Sequence, residues 1–208
     1  SNFNKSESSL KSALDNNKVI WKINEGDGAF YGPKIDFSLT DSLEREWQLG
    51  TIQLDFSMPD RLNASYIDQD GQKRTPVMIH RAILGSIERF VGILIEEYAG
   101  DMPLWLAPTQ VVILNITSNQ ENYCNNIENS LQNNNVRVIC DLRNEKISFK
   151  IREHTLSKIP YIIIIGDKEV ADNKISVRTR SGVDMGQMTV ENFMKMLDTH
   201  VIEKSLTI

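Results

Sequence analysis

Cysteine and histidine are scarce in this chain, with two and three copies in 208 residues. Neither cysteine stands in a metal-type pair such as CxxC, and His80 has no second histidine or cysteine near it in the sequence. Count allows one disulfide between Cys124 and Cys140; two buried free thiols is the reading for an intracellular chain. Long apolar runs are absent too. The most apolar short stretch, residues 159–166, is interrupted by Pro160 and falls far below the roughly 18 residues of a membrane span. The leading stretch, residues 1–9, is polar and lacks the apolar centre of a secretory signal, so a cytoplasmic chain is expected. No P-loop, Rossmann fingerprint or nucleophile elbow occurs. A net charge of −5 argues against nonspecific coating of nucleic acid.

What is present is an ordinary globular composition, 40% hydrophobic and 25% charged, long enough for one large domain or two ordinary ones. The charge is uneven. Residues 1–107 hold 11 basic and 16 acidic residues, whereas 108–208 hold 12 of each. Within the second half, Arg137 to Lys158 carries six basic and three acidic residues, a local surface that could bind a polyanion.

Periodicity divides the chain near Met102-Pro-Leu-Trp-Leu-Ala-Pro108, where two prolines cannot continue a helix. Before it, a helix is expected over 5–17 and a short strand over 19–23. Strands of an antiparallel sheet are expected over 29–39, 47–57 and 63–68, with a turn at 68–73. Residues 82–98 carry an apolar stripe at helical spacing, with Arg89 outside it, and His80 is read as standing where this helix begins. After the boundary the pattern alternates: strand 111–116, a helix capped by Asn119, strand 136–141, helix 147–158, strands 159–166 and 174–180, and helix 190–203. That order gives a mixed, mainly parallel sheet with helices on its faces.

Several residues could do chemistry. His80 reads either as a structural histidine or as a metal ligand. Glu88 and Arg89 read as surface charges or, for Arg89, as a phosphate grip facing a cleft. Tyr31 and Lys34 lie in a glycine-flanked segment that is a tight turn or a substrate loop, and Gln48 and Gln53 flank Gly50-Thr51 on one strand. Arg89 and His80 are expected to share one ligand-sized hollow floored by the antiparallel sheet. In the second half, the segment 141–146, Gly166 to Glu169, and Arg178 would reach one sheet edge. They could read unstacked bases there, or form a polar edge with its own ion pairs.

Three stretches carry a resemblance: Gly28-Ala-Phe-Tyr-Gly-Pro-Lys-Ile-Asp-Phe37, Trp47-Gln-Leu-Gly-Thr-Ile-Gln-Leu-Asp-Phe56 and His80-Arg-Ala-Ile-Leu-Gly-Ser-Ile-Glu-Arg-Phe90. They resemble the later half of the catalytic domain of the threonyl-tRNA synthetase family, the last stretch being similar to the third class II motif. Residues 108–206, with Asp141-Leu-Arg-Asn-Glu-Lys-Ile147 and Val177-Arg-Thr-Arg180, resemble its anticodon-binding domain. The prolyl, glycyl and histidyl families share the architecture. The resemblance implies a partial antiparallel-sheet class II catalytic domain (α+β, residues 1–107) followed by an α/β mixed-sheet anticodon-binding domain (residues 108–208).

The implied activity is activation of threonine with ATP and Mg2+ and transfer to threonine tRNA, by a homodimer. Residue by residue, the resemblance implies His80 as one of three Zn2+ ligands. Arg89 would hold the ATP phosphates, and Gln48, Thr51 and Ser86 would lie near adenosine. Tyr31 and Gln53 would lie beside threonine, and Lys34 near the arriving tRNA end. Asn144, Glu169 and Arg178 would contact the anticodon. The first two class II motifs and the other two zinc ligands have no counterpart in these 208 residues. A C-terminal fragment, unable alone to form threonyl-adenylate, is therefore expected. A stand-alone anticodon-binding module or catalytically dead paralogue is the alternative, and an ATP-binding regulator a third reading.

Overall fold

In this computed structural model, residues 2–206 are described; Ser1, part of the polar leading stretch, and residues 207–208 lie outside the described residues. The chain divides into two units, Ser1–Glu97 and Tyr98–Ile208.

The first unit opens with α1 (Asn2–Asn16), whose Leu10 and Leu14 are half-buried. Lys18, in the left-handed region at φ 56°, turns the chain away, and the Trp21 indole donates back to Asp15 at 2.8 Å. The strand expected over 19–23 does not form. Val19, Ile20 and Ile23 are exposed, and no described strand pairs with them. The sheet consists of β1 (Lys34–Thr40), β2 (Glu46–Asp55) and β5 (Met78–Ala82), antiparallel in the order β1-β2-β5. The tight connection between β1 and β2 is organised by Asp41, which accepts from the Leu43 and Arg45 backbone N–H groups and from the Trp47 indole. A one-turn helix, α2 (Met58–Arg61), follows β2. Residues 63–68 contribute only β3 (Tyr66–Ile67), which pairs with β4 (Lys73–Arg74) in a separate hairpin around the Asp68–Gln72 turn.

Helix α3 (Ile87–Glu97) begins five residues later than periodicity suggests, because residues up to Ala82 are held in the ladder with β2. His80 is therefore a strand residue and not a helix-start residue. None of the α3 side chains is fully buried among the described residues; Ile87 is 68% exposed.

The second unit is a five-stranded sheet, β10-β9-β8-β6-β7. Its strands are β6 (Val111–Asn115), β7 (Val138–Asp141), β8 (Tyr161–Ile165), β9 (Ile175–Thr179) and β10 (Asp184–Met188). The β7-β6-β8 core is parallel and the β8-β9-β10 side antiparallel. Every residue of β6 is buried, as expected when both faces of a central strand are covered. On one face Val111, Ile113, Tyr161, Ile163 and Val177 join residues of α4 (Glu121–Asn133) and α7 (Val190–Ile202), including Cys124, Ile127, Leu131, Phe193 and Leu197. On the other face Val112, Leu114, Ile162 and Ile164 join Ile147 and Ile151 of α5 (Ile147–Leu156).

The proline-bearing segment folds with this unit. Leu104 and Ala107 are buried, and the Arg137 guanidinium donates to the carbonyls of Leu104, Trp105 and Ala107. Two elements go beyond the sequence pattern: the short α6 (Asp167–Asp172), and β10, which pairs along β9. Asn119 is not a helix cap but lies inside a 3-10 turn, Ser118–Gln120, that the Gln120 side chain secures by accepting from the Thr117 N–H and hydroxyl. Both cysteines are free. Burial pushes the Cys124 thiol up to about 11 and also raises Cys140, so neither is a ready thiolate near neutral pH.

The turn from β7 into α5 is closed electrostatically. Buried Asp141 accepts from the Arg143 side chain at 2.7 and 2.9 Å and lies 2.8 Å from His154 Nε2. The Arg143 hydrogen bonds, helped by His154 and opposed by burial, hold the Asp141 carboxyl well below the usual carboxylate range.

Two outcomes follow from this packing. Ile163→Ala, in the centre of the second core, is expected to destabilise the chain by about 2–5 kcal/mol in chemical denaturation. Ile87→Ala on the exposed α3 surface is expected to stay within about 0.5 kcal/mol. Because the folded pKa of Asp141 is depressed, its contribution is fully present above its unfolded value of about 3.9 and is lost as pH falls below it. Denaturation midpoints measured from pH 6 downward should therefore fall less steeply with acid in Asp141→Asn than in the unmodified chain.

Candidate active site and nucleic-acid interface

Strand pairing decides which side chains of the first unit share a face. Gln53 lies opposite Lys34 on β1 and His80 on β5; one step along, Thr51 lies opposite Asp36 and Ala82. Strict alternation would put Gln48 on the other face from Thr51 and Gln53. The register shifts between Phe37 and Ser38, however, so that Leu49 is the extra residue and Gln48 pairs with Ser38. This bulge turns Gln48 onto the Thr51–Gln53 face, a common use of bulges beside sites.

At the Gln53 end lies a cavity of about 290 Å³ lined by Phe30, Tyr31, Gln53, Asp55, Ser57, Met58, Arg61 and His80. That size suits a small, amino-acid-like ligand better than a whole nucleotide. The Tyr31 hydroxyl donates to Gln53 Oε1 at 3.2 Å, and Phe30 stands edge-on to Tyr31. The tight approach of this loop requires a glycine. A Cβ on Gly32 would sit 2.0 Å from the Leu54 carbonyl oxygen.

His80 Nε2 lies 2.9 Å from Asp55 Oδ2, while Asp55 Oδ1 accepts from the Ser57 and Met58 N–H groups. The Met58 N–H, then His80, hold the Asp55 carboxyl below its ordinary value against the pull of burial. A 4% exposed carboxylate fixed in this way holds the imidazole in place and leaves its other ring nitrogen as the one able to ligate. Among the described residues, no group of three or more histidines, cysteines and acids that could hold a metal occurs.

The remaining predicted residues fall into two further places. Lys34 shares the Gln53 face but is tied to Asp36 at 2.7 Å and Asp27 at 3.4 Å, and the Asp36 hydrogen bond raises its pKa. Ser86 and Arg89 stand at the start of α3. The Ser86 hydroxyl donates to Glu88 at 2.7 Å and accepts the Arg89 N–H, so Glu88 turns to Ser86 rather than to its neighbour. The turn before them packs on β2: Gly85 has φ +64°, and a Cβ there would meet the Leu49 carbonyl oxygen at 2.9 Å. Arg89 itself is exposed and does not line the cavity that holds His80. The single shared hollow expected for these two residues is not formed: His80 lines the cavity, and Arg89 stands outside it at the start of α3. Asp55 was not singled out in the sequence, although period two places it on the Gln53 face.

In the second unit, Asn144 is exposed in the loop from β7 to α5. Glu169 is inside α6. It accepts from the Gly166 N–H at 3.0 Å, the Ser176 hydroxyl at 2.8 Å and the Gln187 amide at 2.6 Å. Burial pushes this carboxyl up, but the bonds from Gln187, Ser176 and Gly166 outweigh it and bring it below its ordinary value. Arg178 lies opposite Ile162 in β8 and Asp184 in β10, on the sheet face that α5 covers farther along. Its guanidinium has no acceptor among the described residues, which leaves five donors for a ligand. Asn144, in its loop, and Glu169, in the first turn of α6, stand at the carboxyl edge of the parallel strands, where ligands of α/β sheets bind. The Arg178 backbone, level with Ile162, lies toward the amino end of β8 instead of at the edge expected for all three. Sequence reasoning missed Lys150, buried under that edge, although helical spacing from Ile147 and Ile151 puts it on the inner side of α5. Among the described residues no helix is long and apolar enough to cross a membrane.

Comparison with known proteins accounts for both units. Residues 3–98 match the family model for the tRNA synthetase class II core domain (G, H, P, S and T), and residues 110–200 match the anticodon binding domain. The threonine–tRNA ligase of Marinobacter nauticus is 57% identical over 205 residues, covering 99% of this chain and 32% of that protein. The threonine–tRNA ligase of Saccharophagus degradans is 57% identical over 203 residues, again covering 32% of its length. The chain thus spans about a third of the length of the curated relatives it matches. A crystal structure described as the RNA binding domain of threonyl-tRNA synthetase from Cryptosporidium parvum superposes with a TM-score of 0.85 at 40% identity, over 95% of this chain and 50% of that one. Prolyl-tRNA synthetase from the same organism, at 20% identity and a TM-score of 0.63 over 87% of this chain and 42% of that one, shares the fold. Through a class II core segment and an anticodon-binding domain, the chain belongs to the threonyl-tRNA synthetase family.

Proposed function

We propose that this chain is the part of a threonine–tRNA ligase that completes the amino-acid site and reads the anticodon. One observation carries the reading. Tyr31, Gln53 and His80, from three separate segments, line one amino-acid-sized cavity, with Asp55 fixing the imidazole. In the reaction, the threonine carboxylate attacks the α-phosphorus of ATP and pyrophosphate leaves. A hydroxyl of the terminal tRNA ribose then attacks the threonyl carbonyl and AMP leaves. Tyr31 and Gln53 orient threonine. Gln48, Thr51 and Ser86 hold adenosine farther along the same strand, and exposed Arg89 takes the ATP phosphates, which arrive with Mg2+. Lys34 lies beside the path of the tRNA end.

His80 fits a zinc site as one ligand, because Asp55 occupies one ring nitrogen and leaves the other. Zinc, when bound, supplies a Lewis-acid anchor for the amine and hydroxyl of threonine. The 208 residues hold that one ligand of three, so by themselves they are not expected to make threonyl-adenylate. The whole enzyme acts in the cytoplasm as a homodimer joined through its catalytic domains. In the second unit, Asn144, Glu169 and Arg178 contact anticodon bases.

The whole protein is expected to catalyse threonine-dependent exchange of pyrophosphate into ATP, with valine a poor substitute; absence of exchange would leave only an RNA-binding module. The second test uses this chain alone. Arg178→Ala should weaken binding of a threonine anticodon stem-loop by about 1–3 kcal/mol in a filter-binding titration, and an unchanged affinity would remove the anticodon assignment.

A further inference from the structure

We propose that Lys150 is a positioning residue for anticodon recognition: its buried ammonium fixes, from beneath, the loop that presents Asn144 and the short helix α6 that presents Glu169. The inference rests on reading that edge as the anticodon surface.

Lys150 is 1% exposed, and no carboxylate pairs with it among the described residues. Its three N–H groups are all used on oxygens: Asn115 Oδ1 at 2.8 Å, the Asp141 carbonyl at 3.0 Å and the Asn115 carbonyl at 3.4 Å. Asn115 is the last residue of β6 and Asp141 the last of β7, so one side chain of α5 ties together the carboxyl ends of two parallel strands.

The tie continues in both directions. Asn115 Nδ2 donates to the Thr117 carbonyl at 2.9 Å. Gln120 accepts from the Thr117 N–H, and its own amide donates to Asp167 Oδ1 at 2.6 Å. Asp167 opens α6, which carries Glu169. On the other side, the residue whose carbonyl Lys150 holds also anchors Arg143 and His154 through its carboxylate, and Asn144 follows directly.

Net stability is a weak reason for a buried cation. A buried charge is costly to desolvate, and an apolar side chain of similar volume often serves as well. What an ammonium adds is direction, three bonds that set the relative heights of the 115–120 and 141–146 loops and, through Gln120, of α6. Groups that read base edges must be held within about half an ångström of their productive positions.

The test uses the 208-residue chain, a stem-loop RNA bearing a threonine anticodon, and the same RNA with one anticodon base changed. Lys150→Met keeps the length of the side chain and removes the donors. It is expected to fold, to bind the threonine stem-loop at least tenfold more weakly, and to bring the ratio between the two RNAs toward one. Its salt dependence, which reports phosphate contacts, should be unchanged. A lost ratio with an unchanged salt slope is not what simple loss of stability produces in a folded variant. Should Lys150→Met fail to fold, Asn115→Ala removes the 2.8 Å acceptor and the link to Thr117, and must show the same loss of discrimination. Arg178→Ala separates the two levels of the argument. If it too leaves discrimination intact, the anticodon surface is misassigned. If it abolishes discrimination while folded Lys150→Met or Asn115→Ala retains it, the positioning role of Lys150 is overturned.

Discussion

Strand β2 is the constraint on which the first unit depends. It bonds to both other strands of its sheet, so its register alone decides which side chains meet. With Gln53 opposite Lys34 and His80, Gln53 and His80 share a face and, with Tyr31 from the preceding loop, line one cavity. A slip of one residue on either side would bring an isoleucine, Ile35 or Ile79, beside Gln53 and turn the imidazole or the lysine away. The bulge at Leu49 then adjusts the same strand a second time. It ends the simple alternation and adds Gln48 to the face already carrying Thr51 and Gln53. One ten-residue strand thus borders an amino-acid-sized cavity at one end and, at the other, the polar start of α3 held against β2 through Gly85.

The second unit solves a different problem. Its central strands are apolar on both faces, so no polar group useful to a ligand can project from their middles. Polar side chains are left to the segments at the carboxyl ends and to β9, where Ser176 and Arg178 are half-buried. Loops placed at the end of a rigid sheet still need anchoring. Here the anchors are polar: buried Asp141 beneath the β7–α5 turn, buried Lys150 across two strand ends, and half-buried Glu169 closing Gly166 while holding Ser176 and Gln187. Each is engaged by several partners, which is the condition under which buried polar groups order a structure instead of weakening it.

Much of this was legible in the sequence, for identifiable reasons. The strand expected over 47–57 and the helix expected over 147–158 both form, because their side-chain periods match the local backbone geometry. The alternating order of elements after residue 110 fixed the mixed sheet. Pairing information is not local, and the misreadings trace to it. Residues 82–86 look helical by spacing, yet Ala82 is held by β2. Residues 19–23 look like a strand, but no described neighbour accepts them. β10 contains glycine and methionine and shows no apolar alternation, so only its partner β9 defines it. The site residues divide the same way. Tyr31, Gln53 and His80 stood out by type or by resemblance to a family motif. Asp55 and Lys150 act by contacts 25 and 35 residues away, which no spacing rule reveals.

The register of β2 is therefore the most direct place to test the account. Cross-strand backbone nuclear Overhauser effects in the isotope-labelled chain should connect Gln53 to both Lys34 and His80, and Ser38 to Gln48 rather than to Leu49. Connections of Gln53 to Ile35 or Ile79, or of Ser38 to Leu49, would contradict it, because the side chains assigned to the substrate would then lie on opposite faces of the sheet.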